Sequence, residues 1–423
     1  MKYSFGGGKR VVMQSPRALI ISLSDLNTDP RVLREINWLS SAGWQIETFG
    51  IGKGPIPNVS QHHSLLETPH WRTKGIFSPM LLQRLVSGLV TLFAPQRIRY
   101  HLMMGSHLPA SARNAFRTQS FDLIVINDIE FLPLLARPLN RRGCGANTKV
   151  ILDLHEYHPE RLPEQTPYRF FAERYWRWLR RLIAHPVFDL RTVVSPGIAE
   201  RYHNEFRLKT PTIILNTPDF AKLAPSATLE DEVHLVYHGI AAWDRHPEIL
   251  IDMFQYLDTR FVLHLMLTGP ESVQIGIRNL AEPLGNRVIF EDPVPVNEIA
   301  ATINKFDLAL LFFPPDGNPN ILFTLPNKLF ESIQGRLGIV LGRSPNMIEV
   351  CLDYSNSIVV DGWTAEDLAA ALNNTPTSRI VQLKINSSAA AAELNSEKTR
   401  LYFLQLVQSV TEAVFDPESM SKR

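Results

Sequence analysis

The stretch DLALLFFPPDGNPNILFTLPNKLFESIQGRLGIVLG, from Asp307 to Gly342, constrains the fold more than any other. Residues 308–313 form an apolar run of strand length, 314–325 are rich in turn formers, 326–334 have helical spacing and 338–341 are apolar again. The pattern predicts a strand, a loop, a short helix and a second strand. Pro326 suits the first helical turn, where its missing N–H has no partner to lose, and Gly335 suits a left-handed helix stop. Leu329, Phe330 and Ile333 recur at helical spacing and should face a sheet, which leaves Asn327, Lys328, Glu331 and Gln334 on the more polar side. Free N–H groups at the helix start, with Lys328 beside them, suit a phosphate. The plain alternative is a surface helix on which Lys328 and Glu331 form an i,i+3 pair.

The same alternation runs along the chain. Residues 17–24 (RALIISLS) read as a strand, 25–30 as a loop and VLREINWLSSAG as a helix stopped by Gly43, with 44–50 as the next strand. Residues 121–126 deliver Asn127, Asp128 and Glu130 to a strand end, and 149–154 deliver His155 and Glu156. Strand carboxyl ends are where open α/β sheets hold ligands. Further strands are expected at 190–195 and 212–215, with a helix over 197–206 between them. Residues 233–238, 261–268, 287–290, 307–313, 338–341 and 357–360 then supply a second set, and 393–414 a closing helix. The fold class is α/β with two Rossmann-like domains facing a central cleft. The expected divisions are an N-terminal arm over 1–16, a first domain over 17–217, a linker over 218–232, a second domain over 233–388 and a C-terminal helix over 389–423 that packs back on the first domain.

With 43 basic against 42 acidic side chains, no overall charge draws the chain to nucleic acid or anionic lipid. The aromatic, basic segment 168–185 reads as a long helix with a packed aromatic stripe, because no nucleic-acid motif accompanies it. Cys144 and Cys351, far apart, suit a reducing cytoplasm without zinc or disulfide. No apolar run reaches the roughly 18 to 20 residues that span a bilayer. The basic, apolar segment 71–104 reads first as an insertion helix packed on its own domain, and second as a peripheral contact with the inner face of the plasma membrane.

On these residues the chain resembles the GT-B glycosyltransferases of the family-4-like group over nearly its whole length. The pieces SLSDLNTDPRVLRE, FDLIVINDIEFLPLL, KVILDLHEYHPE, VVSPGIAERY, ILNTPD, LVYHGIAAWDRHPEILIDMF, FVLHLMLTGP and LPNKLFESIQGRLGIV occur in that group's order. The resemblance implies transfer of a sugar from a nucleotide-sugar donor, held mainly by the second domain, to a glycan or lipid-linked acceptor in surface polysaccharide or glycoconjugate synthesis. It places Lys328 and Arg245 on the donor diphosphate, with Asn327 and Gly239 beside it, and Glu331 near the nucleotide ribose. His155 falls at the donor sugar, Asp128 at an acceptor hydroxyl and Asp25 on the acceptor loop, although both aspartates also suit helix capping. Retention of configuration is implied. No Asp-x-Asp triplet occurs, so neither metal nor other cofactor is expected.

Two positions depart from the group's pattern. Phe323 stands eight residues before Glu331, where a glutamate is usual, and Ile240 follows Gly239 where a basic residue is usual. The competing readings are therefore a catalytically silent binding subunit of a glycan-assembly complex and a nucleotide-sugar epimerase of related fold.

Overall fold

The computed structural model describes residues 15–52, 54–65, 120–135, 147–160 and 177–411. The segment 71–104, Cys144, most of the arm over 1–16 and the first half of 168–185 lie outside them. Thirteen strands run through the described chain: β1 Arg17–Asp25, β2 Gln45–Ile51, β3 Gln61–Ser64, β4 Leu123–Ile126, β5 Lys149–Leu154, β6 Leu190–Val193, β7 Thr212–Ile213, β8 Val233–Ile240, β9 Phe261–Thr268, β10 Val288–Glu291, β11 Leu308–Leu311, β12 Gly338–Leu341 and β13 Ser357–Val359. By contact the chain divides into two compact units, one of residues 1–153, 163–190 and 404–423, the other of 154–162 and 191–403.

The first unit carries parallel strands in the order β3-β2-β1-β4-β5. Ala18 to Ile21 of β1 and all of β4 are buried, as expected for parallel strands covered on both faces. Strand β3, with its sequence QHHS, has no apolar run to betray it. The helix Pro30–Ser41 begins at Asp29, whose carboxylate accepts from the backbone N–H groups of Arg31 at 2.9 Å and Val32 at 3.2 Å. Gly43, at φ +86°, turns the chain into β2.

This helix buries charge. Arg31 donates to both carboxylate oxygens of Asp153 at the end of β5, and Asn127 donates to Glu35 at 3.0 Å. Glu35 is 3% exposed. Desolvation, reinforced by the nearby Asp153 charge and only partly opposed by Arg31, pushes its carboxyl up to about 8. The folded protein thus keeps a proton on Glu35 that the unfolded chain, at the ordinary 4.5, releases. Between pH 4.5 and 8 the folded state binds more protons, so this group's contribution to stability declines as pH rises through that window. Glu35→Gln, which stays neutral, should lose that slope. Urea unfolding of both proteins at pH 5 and 8 checks it: an unchanged wild-type-to-variant difference at the two pH values would mean that Glu35 holds no such proton.

The second unit contains the parallel pair β6–β7 and a six-stranded parallel sheet in the order β10-β9-β8-β11-β12-β13. Its core has two layers. Leu235, Leu263, Leu310, Val340 and Leu383 meet on one face of the sheet, and Val236, Met266, Ala309, Ile339, Leu329 and Phe330 on the other. The sheet order puts the ends of β8 and β11 side by side. That adjacency builds the candidate site.

Several boundaries differ from the sequence expectation. The strand expected over 308–313 ends at Leu311, and the following loop contains the short helix Pro319–Leu322. The next helix spans Asn327–Gln334, with Pro326 extended at its N-cap. Gly335 has φ −74°, not a left-handed conformation; the positive φ of 64° falls on Arg336. Glycine is nevertheless required there, because a Cβ would lie 2.7 Å from Ile303 and 2.8 Å from Leu337. The closing helix expected over 393–414 spans Ser396–Thr411, and a separate helix, Thr377–Glu393, precedes it, with Asn395 between them accepting from the N–H of Lys398. No helix among the described residues is long and apolar enough to cross a membrane.

Candidate functional site

The site grows from three consecutive residues at the carboxyl end of β8. Tyr237 is buried, His238 is 4% exposed, and Gly239 adopts φ +118°, a conformation that side chains resist. Opposite them stands the Asn327–Gln334 helix. Its apolar residues Leu329, Phe330 and Ile333 are fully buried, as their spacing predicts. The polar face is less exposed than expected. Gln334 is completely buried, accepting from the Ala221 N–H and donating to the carbonyls of Ala391 and Leu394. Glu331 is 7% exposed and bonds to the imidazole Nε2 of His238 at 2.9 Å.

The i,i+3 pair between Lys328 and Glu331 does not form. Instead the Lys328 ammonium sits 4.1 Å from the centroid of the Tyr237 ring and 5.7 Å from that of Phe313, which follows β11. A Cβ on Gly239 would lie 3.2 Å from the Lys328 nitrogen. Arg245, in the turn Trp243–Arg245 after β8, places its guanidinium 5.5 Å from the same Phe313 ring. Two cations thus share one aromatic ring at the ends of adjacent strands. Neither forms an ion pair with a carboxylate among the described residues. Asn327, at the start of the helix, accepts a short hydrogen bond from the Asn216 side chain.

Next to this pair, His246 adopts φ +50° and bridges Glu248 at 2.8 Å and Asp316 at 2.6 Å, tying the turn after β8 to the loop after β11. Desolvation pulls the imidazole down, but the hydrogen bonds to Glu248 and Asp316 outweigh it and raise its pKa.

His155 follows β5 and is half-buried. Its segment clusters with the second unit. Asn320 clasps the Tyr157 backbone by accepting from its N–H at 2.6 Å and donating to its carbonyl at 3.1 Å, and Tyr202 bridges the His158 N–H and the Glu156 carbonyl. This brings the His155 segment to the loop after β11. In the first unit, Asp128 accepts from Ser22 Oγ at 2.9 Å and the Leu23 N–H at 2.6 Å and caps no helix through its side chain. Asp25 accepts from the Asn27 N–H, and Asp29, not Asp25, caps the following helix.

The two departures from the family pattern have clear surroundings. Phe323 lies against the start of the helix Pro196–Phe206, so close that a Cβ on Gly197 would fall 2.2 Å from its ring. Ile240 is 52% exposed at the end of β8.

Sequence reasoning brought Lys328, Arg245, Glu331 and Gly239 to the page but missed Tyr237, His238 and Phe313. Tyr237 and His238 directly precede Gly239 in the chain, and Phe313 closes the apolar run 308–313. What separates them from ordinary strand residues is the adjacency of β8 and β11, which the sequence does not state.

No protein-family model and no curated protein matches the sequence. Solved structures do match its fold. Sucrose-phosphate synthase from Thermosynechococcus elongatus superposes with a TM-score of 0.64 at 16% identity, covering 94% of this chain and 100% of the other. Anabaena HepE in complex with UDP-glucose gives 0.63 at 14% identity, with 93% and 99% covered. A glycosyltransferase from Rickettsia africae gives 0.60 at 9% identity, with 95% and 100% covered. The two parallel sheets and their helices, matched nearly end to end, give this chain the GT-B glycosyltransferase fold.

Proposed function

We propose that the protein transfers a sugar from a nucleotide-sugar donor to a hydroxyl acceptor. The observation that carries this reading is the pair of cations, Lys328 and Arg245, gathered around Phe313 without a carboxylate partner among the described residues. Breaking a sugar–phosphate bond leaves charge on the departing diphosphate, and fixed cations at that point stabilise it. The N–H groups at the start of the Asn327–Gln334 helix, with Asn327, add to the same field. Gly239 lets the chain pass close to Lys328. The UDP-glucose held by the structurally similar HepE supports a uridine nucleotide as the donor carrier.

In this reading Glu331 accepts from ribose hydroxyls and His155 bonds a hydroxyl of the transferred sugar. Asp128 and Asp25 serve the acceptor. The cations and helix amides replace a divalent metal, and configuration is retained, with the donor phosphate helping to take the acceptor proton. The acceptor is a glycan or lipid-linked glycan, the setting is surface polysaccharide or glycoconjugate assembly, and the place is the cytoplasm or the inner face of its membrane.

A thermal-shift panel of UDP, GDP, ADP and their common sugar conjugates, with and without magnesium, tests the donor site. A ligand at about 100 times its Kd stabilises the folded state by roughly 2.7 kcal/mol. We expect a shift with the uridine set that magnesium does not alter. No shift with any member would overturn the donor reading. The packing of Phe323 against Gly197 and the exposure of Ile240 favour a second reading, a binding subunit without turnover. Shift without transfer to any supplied acceptor would select it, and conversion of the donor with no acceptor present would select an epimerase.

A further inference from the structure

We infer that His238 is a positioning residue, which orients the Glu331 carboxylate for the hydroxyl-bearing part of a nucleotide ligand. The inference rests on the donor-site reading and adds to it the group that sets one of its contacts. Glu331 and His238 reach each other from different elements, the helix and β8, at 2.9 Å. Their side chains are 9% and 5% exposed. A carboxylate accepts and never donates, so Nε2 carries the proton in this bond. Among the described residues the imidazole is the only hydrogen-bond donor that the Glu331 side chain has. Lys328, three residues earlier on the same helix, lies over the Tyr237 ring instead.

A long glutamate side chain free to rotate would spread its oxygens over several rotamers, and a ligand that needs one of them would lose affinity by the ordering cost. Holding Oε2 on the imidazole removes that freedom. The second oxygen is then presented in one direction from the helix turn that follows Lys328. A ligand whose diphosphate lies on Lys328 and Arg245 and whose pentose hydroxyls meet Glu331 spans one helix turn. Nucleoside diphosphates have those two groups adjacent.

The test compares UDP with 2′,3′-dideoxy-UDP by calorimetric titration of wild type, Glu331→Gln, His238→Ala and His238→Gln, with a melting curve for each. Wild type should prefer UDP by about tenfold or more, as expected for hydrogen bonds to a charged group. Glu331→Gln should lose most of that preference. His238→Ala should also lose it while binding the dideoxy compound as wild type does. His238→Gln, whose amide can donate to the carboxylate, should recover part of it. A purely structural His238 would instead weaken both ligands alike, and that result, or an intact preference in a folded His238→Ala protein, overturns the inference while the Glu331→Gln result leaves the donor reading standing. Should His238→Ala not fold, His238→Gln decides: retained preference supports the role, and equal weakening of both ligands overturns it. A wild type that binds neither compound, or a preference that survives Glu331→Gln, overturns the Glu331 contact itself and the inference with it.

Discussion

Replacing Lys328 with alanine should lower sugar transfer by on the order of a hundredfold or more and weaken UDP binding, with little change in melting temperature. The size follows from the loss of one preorganised donor to a developing negative charge, which costs roughly 10²–10³ in rate where it has been removed from enzymes. The small stability change follows from the geometry. The ammonium lies 4.1 Å from the Tyr237 ring centroid and 5.7 Å from that of Phe313 and pairs with no carboxylate among the described residues, so its removal strands no buried charge. Lys328→Arg should not fully restore activity. A guanidinium is larger, and the Lys328 nitrogen already lies only 3.2 Å from where a Cβ on Gly239 would stand. Arg245→Ala should act in the same direction. Initial-rate kinetics and UDP titrations on the three variants check this. Unchanged turnover in Lys328→Ala would remove the residue from the mechanism and with it the main support for the donor reading.

The parts of this molecule legible in the sequence are those governed by local pattern. The apolar runs of β1, β4, β9, β11 and β12 mark buried parallel strands, and Leu329, Phe330 and Ile333 mark the buried helix face. The parts that were not legible depend on neighbours distant in sequence. Glu331 and Gln334 read as surface residues because both are polar, yet one meets an imidazole 93 residues away and the other three backbone groups of remote segments. Gly335 looked like a conformational stop, whereas its lack of a side chain serves close packing against Ile303. Strand β3 carries two histidines in four residues and has no periodicity that separates it from a loop. The candidate site was half readable for the same reason. Motif residues such as Lys328 and Arg245 announce a chemistry, but Phe313 becomes their common platform only once β8 and β11 are known to be neighbours.

The largest effect on stability should come from Lys384→Ala. Lys384 lies on the Thr377–Glu393 helix and is 1% exposed, and its ammonium reaches Asp307 at 2.8 Å, Ser226 Oγ at 2.9 Å, the Phe306 carbonyl at 3.1 Å and Thr228 Oγ1 at 3.3 Å. Asp307, 2% exposed at the start of β11, also accepts from Thr228 Oγ1 at 2.6 Å and the His234 N–H at 2.9 Å. Alanine at 384 would leave that carboxylate buried with two neutral donors and no cation. Breaking a buried pair from one side typically costs about 3–5 kcal/mol, more than the pair itself contributes relative to an apolar replacement. Lys384→Met combined with Asp307→Asn should therefore be less destabilised than the sum of the two single changes. Urea unfolding of wild type, the two single variants and the double variant measures this coupling, and the same measurement on Lys384→Ala tests the buried pair: a cost under about 1 kcal/mol would contradict it. Function follows from the position of the pair. The strand whose amino end Lys384 anchors is the one that delivers Phe313 at its other end, so a slip of β11 would displace the ring on which Lys328 and Arg245 rest. A variant that still folds should lose UDP affinity together with stability, whereas Lys328→Ala should lose affinity alone.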